Sequence, residues 1–479
     1  MSNDYPEIRM LIAGEWTLGS SGRSDPVINP ANEAEIGRVP HATRAELDRA
    51  LAAAEQGFAL WRDTATAERT RILKKAANLL RERSAAIGRI MTIEQGKPLP
   101  EATGEVVRVA GTLDWDVEQA RRTYGRIIPS DPTTNLYVMR QPVGPVAAFV
   151  PWNFPAGSPM RKMAAALAAG CSVVLKASEE TPGTACALAQ CFVDAGLPAG
   201  VLNLVFGDPP TISEYLIASP IIRMVAFTGS IAVGKKLAAL AAAQMKPALM
   251  ELGGHAPVIV CRDADPVRAA RASVAGKFVN AGQVCTAPSR FYIDAERYDR
   301  FVEAFVDAAR AVKVGDGLAE GVSMGPLANE RRLAAMERLV ADAAGKGAVI
   351  ETGGRRIGNR GYFFEPTVLT TVPDDAAVLH EEPFGPIAPI MPFTDLDEAL
   401  ARANALPYGL AAYGFTDSAA TAARLASRLE AGILSINHTG GSVSEAPSGG
   451  VKESGYGREG GAEALDAYLI TKRVSHRLQ

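Results

Sequence analysis

Residues 146–176 read VAAFVPWNFPAGSPMRKMAAALAAGCSVVLK, and this stretch decides the predicted fold. It contains a short apolar run at 146–150, a helical stretch at 160–169 and a second apolar run at 173–175. Apolar runs without polar alternation are typical of strands that are buried on both faces of a parallel sheet. A strand, a helix and a strand in this order predict a right-handed crossover unit.

The alternation of strands and helices continues to residue 243. Further strands are predicted at 203–206 and 224–227, and further helices at 184–195, 212–217 and 233–243. A second α/β pattern begins near 257–260 and includes predicted elements at 298–312, 331–344, 366–369 and 419–429. The sequence therefore predicts an α/β protein with two doubly wound parallel-sheet domains. Ligands in such domains bind at the carboxyl ends of the strands.

The segments that flank these patterns give local predictions. Thr43 and Glu46 are spaced as a capping box that opens a helix. A single helix is predicted over about 68–91, and 126–140 is predicted to form a protruding hairpin. The tail after Glu463 is predicted to be a strand that pairs with a neighbouring subunit.

Composition excludes several classes of protein. The 479 residues are 47% hydrophobic and 22% charged, with a net charge of -3, so disorder and a nucleic-acid or anionic membrane partner are not expected. No apolar stretch approaches the roughly 20 residues of a membrane span. The five cysteines form no CxxC pair and the histidines lie far apart. These features predict a cytoplasmic protein without a disulfide framework or a bound metal.

The motif with the clearest chemistry is Asn-Ala-Gly-Gln-Val-Cys at 280–285. A cysteine that follows a glycine-containing turn with polar neighbours suits an exposed nucleophile that attacks a carbonyl group as its thiolate. The alternative interpretation of a lone cysteine is a small buried hydrophobic residue. We apply that alternative to the other cysteines, which lie in apolar helices or at a strand end, at positions 171, 186, 191 and 261.

Two further motifs carry polar groups suited to catalysis. Glu251 lies among apolar residues and glycines in MELGG, where partial burial would raise its pKa and favour a general base. A helix- or turn-capping carboxylate is its alternative interpretation. Asn153 lies in PWNFP directly after a predicted strand, where its amide is placed to donate to an oxyanion. A simple asparagine turn between two prolines is the alternative there.

The motifs NAGQVC, MELGG and PWNFP resemble those of the aldehyde dehydrogenase superfamily. FTGS (227–230), EPFGP (382–386) and GGVKESG (449–455) extend the resemblance over essentially the whole chain. Within the superfamily the chain resembles the succinic and 2-oxoglutaric semialdehyde dehydrogenase branch, through ELGGHAPVIV (251–260), SMGPLAN (323–329) and SGYGREGG (454–461). The resemblance implies oxidation of an aldehyde to a carboxylic acid with NAD(P).

The resemblance also implies a domain division and an oligomer. A variant Rossmann, NAD(P)-binding domain is expected at 1–123 and 142–250, and a catalytic domain at 251–447. Segments 124–141 and 448–479 are expected to bridge subunits, with a small oligomerisation hairpin in a homodimer or homotetramer.

The same resemblance assigns catalytic roles by position. Cys285 is the expected nucleophile, and Glu251 the expected base that hydrolyses the thioester. Asn153 and the backbone N–H of Cys285 are expected to form the oxyanion hole. Lys162 and Glu459 occupy positions that resemble a proton relay.

The expected cofactor is NAD, with NADP possible. The resemblance places Lys176 and Glu179 at the adenosine ribose; a carboxylate there accepts from ribose hydroxyls but repels a 2′-phosphate. The remaining cofactor positions are Pro151, Trp152, Ser178, Gly207, Phe227, Gly229, Ser230, Leu252, Glu382 and Phe384. The spacing of glycines at 229 and 234 departs from the Rossmann GxGxxG pattern and falls one residue short of a P-loop. A variant pyrophosphate cradle at a helix N-terminus is therefore expected.

The substrate is less defined by the sequence. Arg161 lies where the semialdehyde branch places an arginine that faces the substrate carboxylate, and a pairing role at the helix start is its alternative. Other expected substrate contacts are Phe154, Val284, Thr286 and His438. Val279 replaces a second arginine, and Ser448 replaces the phenylalanine of the branch. With the small polar loop at 438–444, these departures leave a bulky or aromatic aldehyde as an alternative substrate.

Three other functions compete with oxidation to the acid. A CoA-acylating dehydrogenase is one, although that branch generally lacks the carboxylate that Glu251 supplies. A non-catalytic structural protein and a simple thiol esterase are the others. The combination of Cys285, Glu251 and Asn153 favours the dehydrogenase.

Overall fold

A computed structural model describes residues 5–440 and 443–478. Its strands, numbered in chain order, are β1 (Met10–Ile12), β2 (Glu15–Thr17), β3 (Ser24–Asn29), β4 (Ala34–Pro40), β5 (Arg126–Ile128), β6 (Thr134–Pro142), β7 (Val146–Phe149), β8 (Val173–Lys176), β9 (Leu202–Val205), β10 (Met224–Gly229), β11 (Ala248–Leu252), β12 (Ala256–Val260), β13 (Pro288–Asp294), β14 (Val349–Thr352), β15 (Thr367–Thr370), β16 (Ile387–Phe393), β17 (Ala411–Phe415), β18 (Ile433–Ile436), β19 (Gly455–Tyr456) and β20 (Leu469–Arg477).

The helices connect and cover these strands. They are α1 (Arg44–Asp63), α2 (Thr66–Glu82), α3 (Ser84–Gln95), α4 (Leu99–Ala120), α5 (Gly157–Ala169), α6 (Pro182–Ala195), α7 (Pro209–Ala218), α8 (Ile231–Ala243), α9 (Pro266–Lys277), α10 (Tyr298–Arg310), α11 (Glu330–Gly345), α12 (Leu396–Asn404) and α13 (Ala419–Arg428). The predicted capping box is present at the start of α1, where Thr43 and Glu46 exchange side-chain to backbone hydrogen bonds. No helix in the described part of the chain is long and apolar enough to cross a membrane.

The first sheet has eight strands in the order β19-β11-β10-β7-β8-β9-β1-β2. Neighbouring strands from β11 to β9 run parallel, whereas β19, β1 and β2 pair antiparallel at the two edges. This confirms the predicted parallel sheet. Helix α5 begins at Gly157, earlier than the predicted start at residue 160. Pro159 is tolerated in the first turn because the backbone N–H groups there make no intrahelical hydrogen bond.

The second sheet has seven strands in the order β14-β15-β16-β13-β12-β17-β18. All of its neighbouring strands are parallel except the β14–β15 pair. Each of the two large sheets has its own apolar core, formed with the helices packed on it. The predicted α/β class with two parallel-sheet units is therefore confirmed.

The single helix predicted over 68–91 is wrong. Helix α2 ends at Glu82 and α3 begins at Ser84, because Arg83 leaves helical geometry with φ −97° and ψ 6°. Leu80 and Ile87, on the two sides of the break, are both buried in the same apolar core. Packing of both faces into one core thus overrides the continuous helical periodicity of the sequence.

The predicted hairpin is present, and the C-terminal tail forms a strand, as predicted, that pairs along one edge with β6 of its own chain. Strands β5 and β6 form the antiparallel hairpin, and β20 pairs with β6 of the same chain in a sheet ordered β20-β6-β5. The buried Tyr468 precedes β20, and its carbonyl accepts from the N–H of Val143 just after β6. This anchor directs the tail along β6.

Candidate active site

The candidate active site lies where the carboxyl ends of the first sheet meet the amino ends of β12 and β13. Asn153 follows β7, Glu251 lies near the end of β11, and Cys285 lies shortly before β13. The side-chain amide of Asn153 donates to the carbonyl of Gln283 over 3.0 Å, which ties the PWNFP loop to the NAGQVC loop. The structure therefore brings the predicted polar motifs together in one crevice.

The backbone of the NAGQVC loop is strained. Asn280 and Ala281 have φ of 50° and 53°, and Gly282 follows with φ of 72°. Left-handed conformations of this kind cost a non-glycine residue roughly 1–2 kcal/mol. A Cβ on Gly282 would also collide with the carbonyl of Gly385. Strain concentrated immediately before Cys285 is typical of a loop whose geometry is held for function.

Cys285 is half-buried beside two carboxylates. Burial, with the nearby charges of Glu382 and Glu251, raises the pKa of its thiol to about 12. The backbone N–H groups of Cys285 and Thr286 act in the opposite direction. The thiol is therefore protonated at neutral pH in this state, and a base or an approaching positive charge must favour the thiolate that the sequence analysis expected.

The other four cysteines have no such setting. All five are free thiols; Cys171, Cys191 and Cys261 are buried and Cys186 is half-buried. Burial raises the pKa of each of these four. The prediction of small buried hydrophobic residues is confirmed for three of them, and Cys186 is the exception because its sulfur reaches the carbonyl of Arg9 near the surface.

Glu251 projects from β11 into a confined space. A Cβ added to Gly449 would lie 2.8 Å from its Oε1, and this buried oxygen accepts no hydrogen bond from the residues that the structure describes. Burial, reinforced by the charge of Glu459, raises the pKa of Glu251 to about 8. No helix end is capped by Oε1, so the geometry favours the general base over the capping alternative.

Lys162 and Glu459 form a buried ion pair next to Glu251. Lys162 lies on α5 and Glu459 follows β19, and their side chains are almost inaccessible to solvent. Lys162 opposes the rise in the pKa of Glu251, while Glu459 increases it. The arrangement places a proton donor and an acceptor behind the candidate base, as a relay requires.

Asn153 is buried and points at the nucleophile loop. One hydrogen of its side-chain amide bonds to Gln283, and the second has no partner among the described residues. Its partner lies in a distant part of the chain, so the local asparagine-turn alternative does not describe this contact.

The residues expected at the adenosine end lie at the carboxyl ends of β8 and β9. Lys176 Nζ is 2.6 Å from Glu179 Oε1, and the N–H of Gly207 donates to the same oxygen over 3.3 Å. Ser178 lies in the same turn, where its hydroxyl accepts from the backbone N–H of Glu180. Glu179 is thus a fixed acceptor at the edge where a ribose would bind.

The residues expected at the pyrophosphate lie at the N-terminus of α8. Ser230 caps this helix by accepting from the N–H of Val233 over 3.4 Å, directly after Gly229 ends β10. The ring of Phe227 packs over Gly229, and a Cβ on Gly234 would collide with Leu252. Gly234 therefore permits close packing of α8 on the sheet, and the free N–H groups of its first turn fit a pyrophosphate.

The residues expected at the nicotinamide end converge from four loops. Glu382 Oε1 accepts from the N–H of Gly254 over 3.1 Å, and burial raises its pKa to about 7. The ring of Phe384 packs edge-on against Trp152, which follows Pro151, with centroids 5.6 Å apart. A Cβ on Gly254 would lie 2.8 Å from the carbonyl oxygen of Cys285. These contacts place the carboxylate of Glu382 and the aromatic ring of Phe384 beside the candidate nucleophile. A carboxylate and an aromatic ring in this position fit the nicotinamide end of a dinucleotide.

Comparison with known proteins agrees with this geometry. The aldehyde dehydrogenase family model matches residues 16–474. The chain belongs to the aldehyde dehydrogenase family. It is 47% identical over 464 residues to a 4-(hydroxymethyl)benzenesulfonate dehydrogenase of Comamonas testosteroni, covering 97% of each chain. It is 42% identical to the NADP(+) succinate-semialdehyde dehydrogenase of Escherichia coli, covering 96% of each chain.

Solved structures show the same fold. The structure of an NADP-dependent enzyme of E. coli superposes with a TM-score of 0.97 at 41% identity, covering 100% of this chain and 99% of that one. The protein is thus an NAD(P)-dependent aldehyde dehydrogenase. The predicted family, fold class and type of reaction are confirmed.

The expected substrate residues of this aldehyde dehydrogenase are only partly assembled. Arg161 is half-buried and its guanidinium is 3.4 Å from the hydroxyl of Ser448, while Val284 and Thr286 flank Cys285. His438 is exposed, and its ring accepts from the N–H of Gly440. Residues 441 and 442 of the loop predicted to admit a bulky aldehyde lie outside the described residues.

The sequence analysis missed several buried polar residues of the aldehyde dehydrogenase site. Asp116 on α4 is buried beside Arg161 and Glu459, and burial raises its pKa to about 7. Tyr413 on β17 donates to the carbonyl of Thr286 over 2.6 Å. Lys97 and Glu105 form a buried ion pair beneath the PWNFP loop. Their burial depends on contacts with distant segments, so the sequence carried no local signal for them.

Proposed function

We propose that this aldehyde dehydrogenase oxidises an aldehyde that carries a remote carboxylate, such as succinic or 2-oxoglutaric semialdehyde. The observation that carries the proposal is the meeting of Cys285, Asn153 and Glu251 in one crevice, with Arg161 on the adjoining helix α5. Recognition of a carboxylate by a guanidinium is directional and strong in a site that excludes water.

In the proposed acylation step, the Cys285 thiol loses its proton to solvent, and the resulting thiolate attacks the aldehyde carbon to form the anion of a thiohemiacetal. The free amide hydrogen of Asn153 and the backbone N–H of Cys285 would hold the developing oxyanion, each donor contributing about 3 kcal/mol. NAD(P) bound in the crevice supplies the hydride acceptor, so that the sulfur is left as a thioester.

In the proposed hydrolysis step, Glu251 takes a proton from the water that attacks the thioester carbonyl. A base with a pKa near the working pH combines basicity with availability, and the pKa of Glu251 is about 8. The buried Lys162–Glu459 pair would then pass the proton from Glu251 toward solvent. Cys285 leaves as the thiol or thiolate when the acid is released.

For the cofactor we propose NAD as the preferred form. Lys176 and Glu179 would hold the adenosine ribose, the first turn of α8 the pyrophosphate, and Glu382 the nicotinamide ribose. Glu179 is held in place by Lys176 and by the N–H of Gly207, so its charge faces any 2′-phosphate. Two similar proteins are NADP-dependent, so the preference is tested by comparing the two cofactors directly.

Glu179→Gln is expected to raise the NADP/NAD ratio of kcat/KM by at least about threefold, because it removes like-charge repulsion and releases Lys176. The matched control is Glu180→Gln. Glu180 is the neighbouring carboxylate, but it pairs with Arg331 and accepts from Asn329 over 2.9 Å. Steady-state kinetics with both cofactors measure the ratio. An equal ratio in Glu179→Gln and wild type would mean that the ribose is read elsewhere.

The environment of Arg161 tunes its attraction for a substrate anion. Asp116 is buried near Arg161, and one of its carboxylate oxygens has no hydrogen-bond partner among the described residues. The charge of Arg161 lowers the pKa of Asp116, and burial outweighs it. An ionised Asp116 partly neutralises Arg161, whereas a protonated one leaves its full charge available to the substrate.

Arg161→Leu is expected to lower kcat/KM for succinic semialdehyde by at least about tenfold, because a remote carboxylate left unpaired in a closed pocket costs about 2–5 kcal/mol. It should spare butanal, which has the same length and no charge. The two substrates measured side by side separate anion recognition from damage to α5. Equal losses for both substrates would contradict the carboxylate hypothesis.

The matched variant Asp116→Asn should act in the opposite direction. Removing this negative charge is expected to lower KM for the charged substrate by about threefold while leaving KM for butanal unchanged. Lowering the pH through about 7 in the wild-type enzyme should have the same effect, since Asp116 is then protonated. A parallel change for both substrates would show that Asp116 acts on the fold instead.

A second candidate is an aromatic aldehyde that carries a remote anion. Ser448 stands where the semialdehyde branch has an aromatic residue, and its small side chain leaves room beside Arg161. The 47% identity to a 4-(hydroxymethyl)benzenesulfonate dehydrogenase favours the same class. A panel of aliphatic semialdehydes, anionic benzaldehydes and neutral aldehydes, ranked by kcat/KM, decides between the two candidates.

We also propose a homodimer or homotetramer in the cytoplasm, with domain bounds as given above. Strand β20 lies at the edge of its sheet, with Ile470 and Leu478 exposed, and Ile127 on β5 is also exposed. The unpaired backbone N–H and C=O groups of such an edge strand favour pairing with another chain. The free thiols are typical of a reducing compartment. Light scattering after size exclusion measures the number of subunits.

A further inference from the structure

We propose that Lys97 and Glu105 are positioning residues that hold Asn153 in place for the oxyanion. This inference rests on the proposed role of Asn153, and it concerns two residues outside the set expected to contact substrate or cofactor. Lys97 lies between α3 and α4, and Glu105 lies on α4. We refer to this ion pair as the Lys97–Glu105 clamp.

The lysine end of the clamp holds the carbonyl of Asn153. The Lys97 side chain is fully buried, and its Nζ is 2.6 Å from Glu105 Oε2. The same ammonium group donates to the carbonyl oxygen of Asn153 over 3.1 Å and lies 4.4 Å from the ring centroid of Phe154. Lys97 thus contacts the backbone of one predicted site residue and the aromatic ring of the next.

The glutamate end of the clamp holds the chain just beyond Asn153. Glu105 Oε1 accepts from the N–H groups of Ala156 and Gly157 over 3.0 and 2.9 Å, at the start of α5. A carboxylate at a helix N-terminus is favoured by the unpaired N–H groups and the helix dipole. The backbone on either side of Phe154 is therefore fixed by two oppositely charged groups that also bind each other.

The nucleophile loop shares this network. Asn280 donates to the same Asn153 carbonyl over 2.7 Å, and Gln95 donates to Asn280 over 2.7 Å. The backbone N–H of Lys97 in turn donates to the side-chain oxygen of Gln95 over 3.0 Å. With its carbonyl held by two donors, Asn153 has its position set relative to the loop that carries Cys285.

Stability alone does not account for a buried ion pair at this place. Replacement of such a pair by apolar residues is often neutral or stabilising, because two charges must be removed from water. An ammonium group donates in three directions, which lets Lys97 reach Glu105 and Asn153 at the same time. The arrangement is therefore better suited to fixing geometry than to adding stability.

A double-mutant cycle tests the proposal. Lys97→Met should lower kcat by about 10- to 100-fold with little change in the cofactor KM, since small displacements of a catalytic donor are costly. Asn153→Ala should also lower kcat. If Lys97 acts through Asn153, adding Lys97→Met to Asn153→Ala should change kcat by less than about threefold.

Two further variants keep the test decisive. Glu46→Gln weakens the hydrogen bonds of a different buried carboxylate, which accepts from Thr43 at the start of α1. Its effect on kcat should be small, and the effects of Glu46→Gln and Asn153→Ala on kcat should multiply. If Lys97→Met does not fold, Glu105→Gln replaces it in the cycle, because this variant keeps the lysine and the size of its partner. Folding is checked by thermal unfolding in each case.

The outcomes separate the two levels of the proposal. A kcat unchanged by Asn153→Ala would overturn the proposed role of Asn153 itself. Suppose instead that Asn153→Ala lowers kcat and that adding the clamp variant lowers kcat again by as much as it does in the wild-type enzyme. This result would overturn the positioning role and leave the proposed function intact. If the clamp variant lowers kcat in the wild-type enzyme but no longer does so in the Asn153→Ala enzyme, the result supports the proposal.

Discussion

Cys285→Ala is expected to abolish aldehyde oxidation, with a loss of kcat/KM of at least about 10⁴-fold, as follows when a covalent nucleophile is removed. The half-buried thiol lies at the end of a strained loop. The side-chain amide of Asn153 contacts the same loop at Gln283 and would donate a hydrogen bond to the oxyanion. Without sulfur no thiohemiacetal forms, and hydride transfer from a free aldehyde lacks an alkoxide to drive it. The fold and cofactor binding should be retained, because the alanine removes only one atom.

Formation of NAD(P)H with saturating aldehyde measures the loss, and cofactor titration by fluorescence checks binding. Cys186→Ala is the matched control, since this thiol is also only half-buried but contacts the carbonyl of Arg9 away from the crevice. It should keep full activity. Oxidation by purified Cys285→Ala at more than a small fraction of the wild-type rate would disprove the covalent mechanism.

Glu251→Gln is expected to produce one rapid burst of NAD(P)H per active site and then to turn over about 10²- to 10⁴-fold more slowly, the usual contribution of a general base. Acylation precedes the step in which water is activated, so the thioester should accumulate. Rapid-mixing kinetics measure the burst, and mass spectrometry of the quenched enzyme detects the acyl group on Cys285. Loss of the burst together with turnover would instead assign Glu251 to acylation.

The pH dependence of the wild-type enzyme should report the same group. Burial and Glu459 raise the pKa of Glu251 to about 8, so its basic form becomes populated as the pH rises through about 8. Where hydrolysis limits turnover, kcat should increase over this range, and Glu251→Gln should lack that increase. A kcat that falls over the same range in the wild-type enzyme would contradict a base at Glu251.

Much of the fold was predictable because its units are local in sequence. Apolar strands and intervening helices between 146 and 243 gave a parallel sheet, since short βαβ units allow few topologies. The carboxyl ends of parallel strands share one edge of the sheet, which is why the ligand-binding residues were expected at that edge. The capping box at Thr43 was predictable for the same local reason.

Features that depend on distant partners were not predictable. The break at Arg83 and the pairing of β20 with β6 follow from packing against other segments, and helical periodicity or strand propensity carries no information about either. The Lys97–Glu105 clamp was missed because a lysine in a loop before a helix is usually solvated. Only its burial against Asn153 and Phe154 gives it a structural meaning.

The sequence by itself determined the family, the two parallel-sheet units and the candidate catalytic residues, because each follows from a short motif or a local periodicity. The tertiary structure decided how those residues ionise and which oxygen or N–H each one faces. Burial raises the pKa of Cys285, reinforced by Glu382 and Glu251, and burial also raises that of Glu251, reinforced by Glu459; these groups come from segments far apart in the chain. Desolvation and Coulomb interactions depend on distance in space, and only the folded chain sets that distance.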